Sequence, residues 1–190
     1  MEILLFVLIG IVVAILIYGV LIYNNLVRLK HDVTKAWANI DVLLKQRHDE
    51  LPKLVETCKQ YMKFEQETLE KVMQARAAVN SAVRQGDVGA VGAAESQLRL
   101  GLGNLFAVAE NYPDLKANET FLHLQSRITG LENSIADRRE FYNESVNINN
   151  VRIEQFPDIL VAQRLGFKAA ELLEFDEAEL TDVDMGRLFS

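Results

Sequence analysis

Cysteine occurs once in the 190 residues, at Cys58, so no intramolecular disulfide can form and nothing argues for an oxidising compartment. Its neighbours are apolar at helical spacing, which makes it a packing residue rather than a reactive thiol. Proline occurs three times, at Pro52, Pro113 and Pro157, so long helices can run between them. No basic patch with interleaved aromatics occurs, which argues against nucleic acid as a partner. No stretch of useful length alternates apolar and polar residues, as a half-buried strand would. Charge is absent altogether from residues 3–23.

That last absence is the most informative. ILLFVLIGIVVAILIYGVLIY spans roughly 30 Å as a helix, the hydrocarbon thickness of a bilayer, and a helix satisfies its own backbone there. The run is too long for an ordinary signal peptide, no small-residue cleavage site follows it, and no cysteine nearby could carry a lipid. The sequence therefore predicts a single-pass membrane protein of the bacterial inner-membrane type, with the lipid bilayer as its first partner. Gly10 and Ala14 have the small-xxx-small spacing that lets neighbouring spans approach, although a lone glycine in lipid satisfies the same pattern.

Charge is uneven within a formal net of −7. Residues 28–167 are nearly balanced, with 18 basic and 19 acidic side chains, whereas the stretch from Lys168 onward has two basic and seven acidic ones. Arg28, Lys30 and Lys35 follow the span and Glu2 precedes it, which predicts that the bulk of the chain is cytoplasmic. The expected division is a transmembrane anchor (1–27), a helical bundle (28–160) and an acidic amphipathic tail (161–190).

The bundle is predicted from apolar stripes. Leu26, Leu29, Val33, Trp37, Ile40 and Leu44, then Leu51, Leu54, Cys58 and Tyr61, recur at three and four residues, and Leu69, Val72, Val79 and Val83 resume the seam. Trp37 is expected to be buried. Pro52 should break or kink this run around Asp49 to Leu51, with Asp49 capping the next helix. Gly86 and Asp87 end one helix and open another, whose interior glycines weaken it. AENYP marks a stop, and a long helix is expected from Asp114 through Phe121, Leu124, Ile128, Leu131, Ile135, Tyr142 and Val146. The fold class is all-α: one transmembrane helix followed by a long-helix antiparallel bundle, coiled-coil-like in its seams.

None of His31, His48 and His123 has the Glu-x-x-His spacing of di-iron bundles, and Glu119 with His123 is a lone pair one turn apart. No phosphate-binding, nucleophile-elbow, dinucleotide or zinc-protease motif occurs. Arg138 lies at seam phase, where Glu132 or Glu65 would have to neutralise it. Asn143 beside Tyr142, and Trp37 with Asn39 and Asp41, are further candidates for a structural polar network. No residue is assigned as catalytic, cofactor-binding or metal-binding, and no cofactor is expected.

YNNLVRLKHDVTKAWANIDVLLKQRHDELPKLVETCKQYMKFE resembles the opening of LemA family proteins, with its YN-x-LV start, V-x-x-AW-x-x-ID-V core and P-x-LV-x-x-x-x-x-Y segment. NYPDLKANETFLHLQSRITGLENSIADRREFYNESVN and RIEQFPDILVAQRLGF resemble its later segments. Where the family repeats YN this chain reads INN, at residues 148–150, its basic run is weak, and its middle is glycine-rich. The resemblance implies a membrane-anchored antiparallel helical bundle and supplies no catalytic assignment. The expected function is a non-enzymatic scaffold that forms a homo-oligomer or recruits partners at the membrane. The alternative is an adaptor or regulator of another membrane protein, such as a protease or signalling component.

Overall fold

The computed structural model describes residues 1–175, so the acidic stretch beyond Phe175 lies outside the described residues. Among these residues every regular element is helical: α1 (Glu2–Lys59), α2 (Gln66–Gln85), α3 (Val88–Ala109), α4 (Pro113–Lys116), α5 (Glu119–Glu154) and α6 (Asp158–Leu165). The chain is all-α, as its stripes predict.

The expected break at Pro52 does not occur. α1 is one helix of 58 residues with Pro52 inside it. Proline lacks an N–H, so the carbonyl four residues back, that of His48, loses its helical partner. Arg76 of α2 replaces it, its Nε donating to that carbonyl at 2.9 Å. Its second guanidinium nitrogen lies 2.7 Å from His48 Nε2. Burial, and then the Arg76 charge, hold the His48 ring below its ordinary pKa, so the ring stays neutral and Nε2 accepts. A helix interrupted in sequence is thereby continuous in structure, and Asp49 caps nothing.

Two compact units are distinguished by their contacts. Among the described residues, one comprises 39–139 and 172–175, the other 1–38 and 140–171. In the larger unit, α1 contributes Leu51, Leu54, Val55 and Cys58 to a core with Leu69, Val72 and Val79 of α2, Leu98, Leu102 and Leu105 of α3, and Phe121, Leu124 and Ile128 of α5. The α2–α3 hairpin turns in two residues. Gly86, at φ 69°, takes the left-handed position, and the Gly86 and Asp87 amides return to Val83 and Ala82, a Schellman closure that a Cβ would strain. Asp87 then accepts from the Ala90 amide at 2.8 Å and caps α3. The long helix expected from Asp114 starts later, at Glu119, because Asn118 accepts from the Phe121 amide at 3.0 Å and resets the chain after the short α4.

The interior glycines of α3 cost roughly 1 kcal/mol each against alanine. Burying Leu98, Leu102 and Leu105 contributes roughly 1.5–3 kcal/mol each, so packing outweighs propensity. Gly92 also has a specific reason: a Cβ there would meet the Glu174 carbonyl at 1.9 Å. Residues 172–175 lie across α3 at that point, with Leu173 buried and Phe175 under the Arg139 guanidinium at 3.9 Å.

In the smaller unit, Ile22 and Leu26 of α1 pack with Ile153 of α5 and Ala162 of α6. Trp37 is half-buried rather than buried, tilted against Tyr142 with ring centroids 5.4 Å apart. The INN segment acts through Asn150, whose amide donates to the Ala170 carbonyl and accepts from its N–H, at 2.8 and 2.9 Å. Tyr142 donates to the Glu171 carbonyl at 2.9 Å.

Arg76→Ala should lower the unfolding free energy of the full chain by about 1.5–3 kcal/mol, the range for a hydrogen bond from a charged donor. With Pro52→Ala in place, residue 52 supplies an amide to the His48 carbonyl, and the same arginine deletion should cost at least about 1 kcal/mol less. Additive effects in a denaturant double-mutant cycle would contradict the Pro52–Arg76 compensation.

Candidate functional site: an apolar anchor, a buried ion cluster and an open groove

Residues 1–18, all but the first of them in α1, are exposed. This part of α1 contains an 18-residue window with mean hydropathy 3.2 and none of it buried, the state expected of a segment whose solvent is lipid. Near Tyr23 the exposure ends, and Ile22 and Leu26 enter the core of the smaller unit.

The polar centre of the larger unit is Arg47, whose side chain is 1% exposed. Its two terminal nitrogens bind Glu95 of α3 and Glu132 of α5, and Arg99 reaches Glu132 from 3.5 Å. Burial alone would favour the uncharged guanidine, but Glu95 and Glu132 outweigh it and hold Arg47 above its ordinary value. Burial pushes the Glu95 carboxyl up against the pull of Arg47. Arg47 Nε and Glu95 Oε2 have no protein hydrogen-bond partner. One cation thus ties three helices in a fixed register. The neighbouring Glu50 accepts from Lys53 at 3.1 Å and Arg127 at 2.9 Å, and its carboxyl is held below the usual range by the Lys53 hydrogen bond first.

The residues singled out from sequence fall differently. Arg138 is exposed; the helix turns Arg139 inward instead, so Arg138 meets neither Glu132 nor Glu65. Glu132 does neutralise a buried arginine, but that arginine is Arg47. Glu65 lies 3.4 Å from the Tyr112 hydroxyl. Asn143 is half-buried, Asn39 is exposed, and Asp41 pairs with Lys45 on the helix surface. Glu119 and His123 are both exposed. Cys58 is buried, and burial pushes its thiol up to about 12, which makes it inert. Among the described residues no three His, Cys, Asp or Glu side chains converge. Arg47 and Glu95 escaped the sequence reading, although each stands at seam spacing, between Leu44 and Leu51 and between Val91 and Leu98.

Where α1 ends and α2 begins, the larger unit has an open groove of about 940 Å³. Val55, Met62, Leu69 and Met73 line it, with Lys59 and Lys63 among the polar lining residues. Phe64, in the connecting turn, is 92% exposed.

An exposed apolar segment long enough to cross a membrane, continuous with a helical core, places the chain in the class of membrane-associated helical-bundle proteins. Comparison with known proteins gives the class a family. The LemA family profile matches residues 36–185, and the chain belongs to that family. It is 30% identical over 167 residues to protein LemA of Metamycoplasma hominis, covering 87% of this chain and 74% of that protein. It is 25% identical over 190 residues to magnetosome protein MamQ 2 of Paramagnetospirillum magneticum, covering 88% and 70%. Magnetosome protein MamQ of Magnetospirillum gryphiswaldense is 24% identical with the same coverage.

Arg47→Met should destabilise the chain by about 3–5 kcal/mol, because it leaves Glu95 buried without a cation. In that variant the folded-state pKa of Glu95 stands further above the unfolded value of 4.5. The folded state then takes up the proton first, so stability is retained at low pH and lost as pH rises through the folded value. Denaturation of variant and native chain should differ more at about pH 8 than at about pH 5. A pH-independent difference would contradict the buried cluster.

Proposed function

We propose that this LemA family protein is a non-enzymatic, membrane-anchored scaffold that self-assembles at the bilayer, with its bulk on the cytoplasmic side. The observation that carries the reading is that the anchor and the bundle share one helix, α1. A protein built this way transmits position rather than chemistry, and its most buried polar residues are engaged with one another. Self-assembly is further supported by α5, where Phe141, Ile148 and Val151 stand 51%, 47% and 43% exposed at the seven- and three-residue spacing of a lateral contact. Confinement of anchored chains to a plane raises their effective concentration, so a weak contact there suffices.

A second reading, an adaptor for another membrane protein, is favoured by the groove beside Phe64. An apolar-floored groove with lysines among its lining residues suits capture of a partner segment.

Light scattering of the full chain in mild detergent, corrected for bound detergent, should give the mass of a homo-oligomer. Serine at Phe141, Ile148 and Val151 together should reduce that mass while leaving the helix content unchanged, since all three side chains are exposed in the single chain. A monomeric native chain in several detergents would overturn the scaffold reading. Stoichiometric copurification of a foreign membrane protein, lost on Phe64→Ser, would establish the adaptor in its place.

A further inference from the structure

We infer that α6 and the turn before it lie in the headgroup layer of the bilayer that α1 crosses, with Phe156 and Leu160 inserted among the lipids. The inference rests on reading residues 3–23 as a membrane span. Ile22 belongs to that apolar run yet is only 5% exposed. Ile22 and Leu26 share a core with Ile153 and Ala162, and Val161 and Phe167 pack against it. A short helix docked on the last turns of a span is held at the level where hydrocarbon gives way to headgroups.

Its outward side chains suit that depth. Phe156 is 80% exposed and Leu160 is 61% exposed, which water disfavours and the interfacial layer accommodates. Tyr23 and Phe167 meet edge to face, with centroids 6.1 Å apart, an aromatic pair of the kind enriched at that boundary. The charges agree. Asp158 is buried and paired with Arg152 at 3.1 Å, which takes the carboxylate at the start of α6 away from the lipid. Arg164 and Lys168 are exposed and match lipid phosphates, against the single exposed acid Glu154 at the end of α5. The anchor is therefore a span with a collar, which would restrict how far the start of α1 can tilt and rotate in the bilayer.

The test places an environment-sensitive fluorophore on single cysteines in the full chain, reconstituted into vesicles of phosphatidylcholine and phosphatidylglycerol. Phe156→Cys and Leu160→Cys carry the probe, with Leu8→Cys as the span control and Gln85→Cys as the aqueous control. All four side chains are exposed, so the fold is spared, and the buried Cys58 does not react. Lipid brominated near the headgroup should remove a large fraction of the emission at positions 156 and 160, while iodide in the water should not. Deep bromination should quench position 8, and iodide should quench position 85. Quenching of 156 and 160 by iodide alone would overturn the inference and leave the span intact. A blue-shifted probe at these sites that neither quencher reaches would overturn it in favour of a second copy or a protein partner covering α6. Loss of deep quenching at position 8 would overturn the span reading, and this inference with it.

Discussion

The architecture depends on one carbonyl. Pro52 deprives the His48 carbonyl of its helical partner, and a partly buried carbonyl without a donor weakens or kinks a helix at that point. Arg76 supplies the donor from α2, so α1 passes through its own breaker and reaches Lys59. The apolar N-terminal segment and the core positions from Leu51 to Cys58 therefore belong to one helix.

The residue preceding His48 does complementary work. Arg47 binds carboxylates from α3 and α5, while His48 receives Arg76 from α2. Consecutive positions of α1 therefore fasten α2, α3 and α5. Apolar burial supplies most of the stability, but apolar seams tolerate slippage by a turn. A charge that can be neutralised only in one register does not. We read the ion cluster as the device that selects the register which the leucine seams stabilise.

Much of this was legible in sequence. The anchor, the all-α class, the Gly86–Asp87 turn and most seam positions follow from hydropathy, period and cap chemistry, which are local. What was not legible is tertiary. The continuity at Pro52 depends on a donor 24 residues later, which no local rule supplies. A stripe spaced three and four passes through Arg138 or Arg139 between Ile135 and Tyr142, and only the neighbours decide which faces inward. Arg47 and Glu95 look like surface charges when each helix is read alone. Their signal is that opposite charges sit at seam phase on different helices, a pattern visible only once the seams are compared.

One helix, α1, carries the exposed apolar segment at its start and core positions from Leu51 to Cys58 near its end. That shared helix is the observation behind the scaffold reading. The most direct measurement is amide hydrogen exchange along α1 in the full chain, reconstituted in lipid. Continuity places the Asp49, Glu50 and Leu51 amides inside a hydrogen-bonded helix, and they should exchange as slowly as those of Ile40 and Leu54. A helix begun afresh at Asp49 would leave those three amides without carbonyl partners. Exchange there as fast as in the turn after Lys59 would contradict the account.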